Sequence, residues 1–268
     1  MSLALIAGEG MLPEEIARRL ALAGKKPFVY ALRGDCASLS LNAREVMPLF
    51  RSEFRSTIAD MMSRGVRQIM LAGVVPKKTI FNPAMMDAMG RELLAGLDVR
   101  DDHTLLGGVV ALFERAGFEV VGYRDLLSDL MAGDGFIAGR EATDSERADV
   151  AYGVKIARAV TPLSFGQTVV VYQKSVVAVE AMEGTDETLR RSGLFCRGGV
   201  AVKMLKDGQD ERYDIPTVGA ATVRLMGESG LGCLALQAGR TLILNPEEFK
   251  AAAEENNIAV VGFSGLGC

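Results

Sequence analysis

LALIAGEGMLPEEIARRLALA, residues 3–23, sets the fold class of the chain. Residues 3–7 are an apolar run of strand length, and residues 12–23 have the apolar spacing of a helix that tolerates Pro13 in its first turn. Gly8-Glu9-Gly10 joins the two, and Gly24 marks the end of the helix. A strand, a glycine turn and a helix in this order indicate the first unit of a parallel α/β sheet.

The alternation of strand and helix continues to about residue 130. The predicted strands are residues 27–32, 67–72 and 118–122, and the predicted helices are residues 52–64, 82–94 and 101–115. This alternation is typical of a parallel sheet whose strands are connected by helical crossovers. We therefore predict an N-terminal Rossmann-like domain over residues 1–132.

The second half of the chain has more hairpins and predicts a mixed α/β domain over residues 147–268. Residues 133–146 are rich in glycine and acidic residues and lack periodicity, which indicates an interdomain linker. The predicted helices are residues 147–161, 185–191, 222–228 and 246–255, and the predicted strands are residues 167–172, 175–181, 199–204, 233–237, 241–244 and 258–262. The expected fold class is therefore α/β in two domains.

Composition restricts the classes of function that are open to the chain. Its 268 residues are 49% hydrophobic, which is enough for a sizeable core. A net charge of −4 predicts no nucleic-acid partner. Four scattered cysteines and one histidine cannot form a Cys/His zinc site, and isolated cysteines fit a reducing compartment. Without a signal peptide or a membrane-spanning run, a cytoplasmic location is expected.

Glycines and lysines near the predicted strand ends are the candidates for ligand binding in the first half. Gly8 and Gly10 are placed to bring backbone N–H groups to a ligand at a helix N-terminus. Pro13 breaks the G-x-G-x-x-G pattern, so a tight turn explains the same residues equally well. Gly73 is predicted at the same sheet edge, where open α/β sheets bind ligands. Lys77-Lys78 follows it, although a solvated loop is the more common role of such a pair.

Asp101, Asp102 and His103 form a second candidate group. Paired aspartates at a predicted helix start are more often a cap than a metal site, and we expect a cap here. His103 is the single histidine, and no serine or cysteine nucleophile motif lies near it. We therefore expect a structural histidine.

The densest chemistry lies between residues 180 and 214. The acidic candidates are Glu180, Glu183, Asp186, Asp210 and Asp214, and Lys203, Lys206, Gln209 and Arg212 alternate with them. Thr185 is the predicted N-cap of a short helix, which explains one or two of the acids. Carboxylates on loops suit Mg²⁺ or Mn²⁺, and the interleaved bases suit a diphosphate. A surface of salt bridges explains the same residues equally well.

Several motifs together resemble one family. They are residues 5–13 (LIAGEGMLP), residues 71–73 (LAG), residues 101–106 (DDHTLL), residues 178–186 (AVEAMEGTD) and residues 209–219 (QDERYDIPTVG). The chain is similar in these motifs, and over nearly its whole length, to the UDP-2,3-diacylglucosamine pyrophosphatases of the LpxI type, in lipid A biosynthesis. The resemblance implies hydrolysis of the UDP-lipid to lipid X and UMP, with a divalent cation. It also implies a catalytic C-terminal domain and a ligand between the two domains.

Roles for the charged residues follow from this resemblance. Asp210, Asp214 and an acid at position 221 are expected to hold Mg²⁺ or Mn²⁺, with Glu180 or Glu183 beside them. The predicted substrate-binding residues are Gly8, Gly10, Gly73, Thr185, Lys203, Lys206, Gln209 and Arg212. Methionine and aliphatic side chains are expected to form a channel for the acyl chains.

One position departs from the family pattern. The family usually carries an acid just before Thr222, where this chain has Ala220 and Ala221. If Ala221 occupies the acidic position, the chain is an inactivated variant that still binds substrate. Two alternatives stay open, a nicotinamide-dependent oxidoreductase and a non-enzymatic sugar-nucleotide or lipid-binding protein. A homodimer and a peripheral contact with the inner face of the inner membrane are also expected.

Overall fold

The structure is a computed structural model that describes residues 2–32, 36–49, 53–75, 87–98, 102–164, 166–206 and 208–265. The chain divides into two compact units. The N-terminal unit comprises Met1–Ser128 and Asp210–Asp214, and the C-terminal unit comprises Asp129–Gln209 and Ile215–Cys268. Each unit combines helices with a sheet, so the predicted two-part α/β fold class is confirmed.

The N-terminal unit is built on a parallel sheet. Its strands are β1 (Ser2–Ala7), β2 (Phe28–Ala31), β3 (Glu45–Pro48), β4 (Val66–Ala72) and β5 (Glu119–Val120). Its helices are α1 (Leu12–Leu22), α2 (Ala37–Ser40), α3 (Phe54–Ser63), α4 (Ala88–Ala95) and α5 (Asp102–Arg115), followed by a 3₁₀ helix at Asp125–Leu130. The strands lie in the order β3-β2-β1-β4-β5, so the order reverses between β1 and β4.

Buried side chains on one face of this sheet pack against α3 and α5. Ile6 and Ile69 belong to the same apolar cluster as Phe113 of α5 and Phe118 beyond it. The rings of Phe113 and Phe118 meet edge to face with centroids 6.3 Å apart. Tyr213 joins this cluster from the inserted segment Asp210–Asp214. The core of the N-terminal unit is therefore completed by residues from the second half of the sequence.

The C-terminal unit has a mixed sheet in the order β6-β13-β11-β9-β7-β8. These strands are Gly135–Gly139, Ala259–Phe263, Cys233–Gln237, Val200–Lys203, Thr168–Tyr172 and Ser175–Val179, in that order. A parallel pair of short strands, β10 (Thr217–Val218) and β12 (Leu242–Ile243), lies apart from it. The helices are α6 (Asp144–Val160), α7 (Thr185–Ser192), α8 (Ala220–Glu228) and α9 (Pro246–Glu255), with a 3₁₀ turn at Thr161–Leu163.

The core of the C-terminal unit has two layers, one on each face of the sheet, because successive strand residues point to opposite faces. Val169 and Val171 belong to the cluster that includes the apolar face of α6. Val170, which points to the other face, belongs to the cluster that includes α7, α8 and α9. On α6, a Cβ added to Gly153 would lie 2.6 Å from the Val202 side chain. Because Gly153 has no side chain, α6 packs closer to the sheet than a residue with a Cβ at this position would allow.

Some local predictions differ from the structure. β3 was not predicted, because its four residues are half-exposed and carry no apolar run. The stretch 133–146 was predicted to be an irregular linker, and this is wrong for Gly135–Gly139, which pairs antiparallel with β13. Helix α7 is capped by Gly184 with no side-chain hydrogen bond, so the predicted N-cap role of Thr185 is also wrong. The predicted domain boundaries at residues 132 and 147 stay a prediction.

Several predicted features lie outside the described residues. They are Lys77-Lys78, Asp101, and the side chains of Asp102 and His103, together with the N-terminal parts of the helices predicted at residues 52–64 and 82–94. No helix in the described part of the chain is both long and apolar enough to span a bilayer.

Candidate active site

The carboxyl ends of β1 and β4 come together where the strand order of the N-terminal sheet reverses. The Gly8 N–H donates to the Ala72 carbonyl oxygen at 2.8 Å, and Glu9 and Val74 exchange backbone hydrogen bonds of 2.8 and 2.9 Å. A Cβ on Gly8 would lie 2.6 Å from the Val74 oxygen, and one on Gly73 would lie 2.7 Å from the Glu9 oxygen. Open α/β sheets bind ligands at such a reversal.

The close approach of the two strand ends explains why two of these positions are glycine. The N–H group of Gly8 is already bonded to Ala72. It is therefore engaged at the strand end, and the predicted role of Gly8 in substrate binding stays a prediction. Gly10 has a φ of +94°, which favours glycine for conformational reasons. Substrate binding by Gly10 and Gly73 stays a prediction.

An apolar cleft of about 990 Å³, measured out to its open mouth, lies at this sheet edge within the N-terminal unit. Gly8 and Gly73 lie at its floor, and α3, α4 and α5 supply its walls. The wall residues include Phe54, Leu93, Leu94, Leu105, Leu106 and Val109. Among the lining residues that the structure describes, Glu53 is the single charged one, and no methionine is present. Leucine, valine and phenylalanine therefore form the described walls, and the predicted acyl channel of methionine and aliphatic side chains stays a prediction.

The segment Asp210–Asp214 belongs to the N-terminal unit and is held there by Arg212. Its guanidinium donates to Asp210 at 2.7 to 3.0 Å and to Glu114 at 2.8 Å. The hydrogen bonds that Arg212 donates to Asp210 and then to Glu114 raise its pKa further above the ordinary value. Arg212 also donates to the Val120 carbonyl oxygen at 3.3 Å. Both Asp210 and Arg212 thus have structural partners, and their roles with metal and substrate stay predictions.

Three predicted residues come together in the C-terminal unit around the first turn of α7. Lys203 Nζ donates to Thr185 Oγ1 at 2.9 Å, and Thr185 Oγ1 donates to Glu180 Oε1 at 3.0 Å. The second oxygen of Glu180 accepts from the Gln167 N–H at 3.2 Å. Thr168 Oγ1 lies 3.5 Å from Thr185 Oγ1. These contacts form a continuous chain of hydrogen bonds from an ammonium to a carboxylate.

The position of Lys203 follows from the sheet register. Antiparallel pairing places it opposite Thr168, so that its side chain lies beside the first turn of α7. Lys203 is buried, with 6% of its surface exposed. No carboxylate in the described part of the chain lies within ion-pairing distance of its ammonium. A buried cation whose partner is a neutral hydroxyl is suited to binding an anion.

Glu183 does not join this group. It accepts from Arg191 at 2.7 Å and from Thr188 Oγ1 at 3.2 Å, and it therefore supports α7. Partial burial opposes ionisation of Glu183, but hydrogen bonds from its own backbone N–H, Arg191 and Thr188 outweigh burial and lower its pKa. A structural role is sufficient to explain this carboxylate, and its predicted catalytic role is untested.

The remaining predicted residues that the structure describes do not bond to the group formed by Glu180, Thr185 and Lys203. Lys206 Nζ donates to Ser164 Oγ at 2.7 Å, and the Gln209 N–H donates to the Lys206 carbonyl oxygen at 3.4 Å. Ala221 is exposed in the first turn of α8. Asp214 belongs to the N-terminal unit and Ala221 to the C-terminal unit. The predicted roles of all of these residues, in binding and in metal coordination, stay predictions.

The family resemblance implies a divalent cation. A metal site needs several carboxylate, histidine or cysteine ligands that converge on one point. Within the described residues, no three such side chains converge in this way. Asp210 bonds to Arg212, and Glu180 bonds to Thr185 and Gln167. The residues that the structure describes therefore contain no preformed cluster of metal ligands.

Sequence reasoning missed residues whose importance depends on pairing. Thr168 contacts Thr185, the partner of Lys203, and Ser164 accepts a hydrogen bond from Lys206. Nothing in the local sequence distinguishes Thr168 or Ser164 from other polar residues. The strands containing Thr168 and Lys203 were both predicted, whereas the register that joins them was not. Tyr213, which lines the apolar cleft, was quoted within a motif and given no role.

Comparison with known proteins gives matches over almost all of the chain. Residues 2–130 match the family model for the LpxI N-terminal domain, and residues 133–261 match the one for the LpxI C-terminal domain. The chain is also similar to the UDP-2,3-diacylglucosamine pyrophosphatase LpxI of Caulobacter vibrioides. The two are 33% identical over 272 aligned residues, which cover 97% of this chain and 96% of the relative.

Proposed function

Because the chain belongs to the LpxI family, we propose that it is a pyrophosphatase of lipid A biosynthesis that hydrolyses UDP-2,3-diacylglucosamine. The products are 2,3-diacylglucosamine 1-phosphate, which is lipid X, and UMP. A water oxygen forms a bond to one phosphorus, the bond from that phosphorus to the bridging oxygen breaks, and the hydrogens of the water leave as protons or on the products. The observation that carries the proposal is the similarity to the Caulobacter vibrioides enzyme over 97% of the chain.

The apolar cleft supports a lipid substrate. Its described walls are aliphatic and aromatic side chains, which suit contact with acyl groups. Each CH₂ removed from water contributes about 0.8 kcal/mol, so two acyl chains supply much of the binding free energy. Val109 and Leu106 of α5 are half-buried in the walls, where they are placed to contact such chains.

The chain of hydrogen bonds around Thr185 supports a role in phosphate binding. Lys203 is buried and bonded to a hydroxyl, so that its charge is available to a phosphoryl oxygen. Glu180 accepts from Thr185 and thereby fixes the direction of the Thr185 hydroxyl, leaving the oxygen lone pairs toward Lys203. We propose that Lys203 binds the diphosphate and stabilises the negative charge that develops as the bridging bond breaks. Glu180 acts by positioning Thr185.

The divalent cation is a separate part of the proposal. Asp210 and Asp214 are the proposed ligands that this chain carries, Ala221 stands at the third expected position, and metal dependence comes from the family resemblance. The carboxylates in the described residues do not converge on one point. No step is therefore derived through a metal ion. Loss of activity in EDTA, restored by Mg²⁺ or Mn²⁺, is the measurement that tests it.

Ala221 favours a second candidate function. An alanine at the expected acidic position removes a side chain that could orient water or hold a cation. The chain would then bind the UDP-lipid and turn it over slowly or not at all. Substrate binding would be retained, because the cleft and Lys203 are both present.

Turnover of the purified chain and of an Ala221→Asp variant distinguishes these candidates. Each protein is incubated with UDP-2,3-diacylglucosamine and Mg²⁺ or Mn²⁺, and UMP and lipid X are measured by mass spectrometry. We expect equal amounts of the two products from the native chain. A rate at least about a hundredfold higher for the variant would favour the second candidate, a chain that binds substrate and turns it over slowly. Binding of the lipid without product from either protein would identify a non-enzymatic binding protein.

Two controls complete the experiment. A titration with NAD(H) is expected to show no binding, and binding there without binding of the UDP-lipid would favour an oxidoreductase. Failure of both proteins to bind the UDP-lipid would reject the proposed substrate. The expected homodimer is tested by light scattering on the same preparation, and cytoplasmic placement by fractionation of the host cells.

A further inference from the structure

Two large apolar side chains project together from the turn that follows α7. Leu194 is 81% exposed and Phe195 is 74% exposed, although they are adjacent in the chain. The turn has a fixed shape, because the Phe195 and Cys196 N–H groups both donate to the Ser192 carbonyl oxygen, at 3.0 and 3.2 Å. The Leu194 N–H donates to the Arg191 oxygen at 3.2 Å. The backbone therefore holds both side chains in water.

Neighbours on both sides anchor this turn to the core. Leu189 and Cys196 are buried in the same apolar cluster, at 1% and 8% exposure. Gly193 lies so close to Ser229 that an added Cβ would be 2.2 Å from the Ser229 carbonyl oxygen. Leu194 and Phe195 cannot fold back onto the unit unless these anchors separate. Their exposure is thus a consequence of the packing of the C-terminal unit.

Three arginines flank the two apolar residues, and nearby acids pair with two of them. Residues 190–197 read RRSGLFCR, with three arginines and no acid. Arg190 and Arg191 pair with Glu187 and Glu183 on α7. Arg197 is exposed and has no ion pair with any carboxylate in the described part of the chain. Glu228, at the end of α8 before Ser229, is the single acid of that helix.

We propose that residues 190–197 form a membrane-docking loop. Leu194 and Phe195 enter the boundary between headgroups and acyl chains of an anionic bilayer, and Arg197 contacts lipid phosphates at its surface. Two side chains are a small area for a protein interface, which needs roughly 800 Å² on each partner. A bilayer accepts a small projecting apolar group flanked by guanidinium groups. This inference goes beyond the proposed reaction and does not depend on it.

Vesicle flotation of the full-length chain tests the loop. The vesicles are phosphatidylcholine alone, or phosphatidylcholine with three parts in ten of phosphatidylglycerol, and neither contains a UDP-lipid. We expect binding to the anionic vesicles that decreases with added salt. The double variant Leu194→Ser/Phe195→Ser should bind at least about tenfold more weakly, and Arg197→Gln should bind less well to anionic vesicles only. The matched control is Leu22→Ser on α1, which is 73% exposed and should bind like the native chain.

Each other result overturns the proposal. Absence of native binding to anionic vesicles, or equal binding by the native chain and the double variant, would reject a docking role for the loop. A native chain that binds vesicles poorly and whose double variant changes from dimer to monomer in light scattering would assign the loop to a contact with a second copy. Urea unfolding of the variants verifies that each one is folded. Because no UDP-lipid is present, the outcome is separate from that of the turnover assay.

Discussion

Lys203 Nζ lies 2.9 Å from Thr185 Oγ1, and this hydroxyl, rather than a carboxylate, is its hydrogen-bond partner. The lysine ends β9 and the threonine begins α7, so the contact joins the sheet to the first turn of a helix. A carboxylate partner would neutralise the ammonium, whereas a hydroxyl leaves its charge in place. The bond therefore gives the C-terminal unit a buried positive centre.

Replacement of Lys203 by methionine removes this charge and keeps most of the apolar volume. We expect kcat/KM for the UDP-lipid to fall by about 10- to 100-fold, because the ammonium stabilises developing phosphate charge. Stability in urea should be unchanged or increase by about 1 kcal/mol, because a buried charge is lost. The matched control is Lys155→Met, an exposed lysine on α6. Unchanged turnover in Lys203→Met would exclude the phosphate role.

Two substitutions at Thr185 separate its hydroxyl from its shape. Thr185→Val leaves both Lys203 and Glu180 without this partner and should lower the free energy of unfolding by about 1–3 kcal/mol. Thr185→Ser keeps the hydroxyl and should lose less than half of that amount. Urea denaturation measures both values. Equal losses in the two variants would mean that the methyl group, and not the hydrogen bonds, provides the stability.

Narrowing the apolar cleft should affect long acyl chains selectively. Val109 lines the cleft on α5, and Val109→Phe places a larger side chain in it. We expect KM for the diacyl substrate to rise about tenfold, while an analogue with two-carbon acyl groups changes little. Val176→Phe, at a 40% exposed position on β8, is the control. If the short and long substrates weaken equally, the acyl chains bind elsewhere.

Gly73→Ala tests the close approach of β1 and β4. The residue has a φ of +90°, and an added Cβ would lie 2.7 Å from the Glu9 oxygen. Gly24→Ala is the matched control, because Gly24 has a φ of +72° with open space around it. We expect Gly73→Ala to be less stable than Gly24→Ala by about 1–3 kcal/mol in urea. Equal losses would show that backbone conformation accounts for the whole cost.

Glu146 should contribute to the stability of the C-terminal unit at neutral pH. Burial opposes its ionisation, but Arg140 and the capping residue Thr143 donate to its carboxylate, and together they lower its pKa below the ordinary value of 4.5. A depressed carboxylate pKa gives stability that is present above about pH 4.5 and is lost as the pH falls through the folded-state value. Glu146→Gln should be less stable by about 2 kcal/mol at pH 7.

The difference between native chain and Glu146→Gln should become smaller as the pH falls below about 4.5. Thermal unfolding from pH 7 to pH 3 measures it. Glu187→Gln, at an exposed position on α7, is the control and should follow the native curve. A constant difference at every pH would show that the loss comes from packing and not from the charge.

Much of the fold could be predicted because its signals are local. Apolar runs identified β1, β2 and β4, and glycines marked the turns between strands and helices. β3 and β6 were missed for the same physical reason. β3 is half-exposed at a sheet edge, and β6 begins and ends with glycine, so neither strand buries a continuous apolar run. Their pairing partners stabilise them, and a single sequence does not reveal those partners.

The candidate site was predicted in part. Glu180, Thr185 and Lys203 were selected for their chemistry, and the structure brings these three together. Asp210 and Arg212 were selected for the same reason, but they bond to each other in the N-terminal unit. Residue type alone cannot distinguish an acid that forms an ion pair from an acid that is available to a metal or a substrate. That distinction depends on which side chains the fold places around it.

The inserted segment Asp210–Asp214 affects how the protein can be dissected. A gene fragment that encodes only residues 1–128 would lack Tyr213, which packs in the N-terminal core and lines the cleft. Such a fragment would expose the apolar surface that Tyr213 covers and would tend to aggregate. Supplying the missing pentapeptide through a short engineered linker is then the route to an autonomous N-terminal half. The core of the N-terminal unit is therefore completed by a residue that follows much of the C-terminal unit in the sequence.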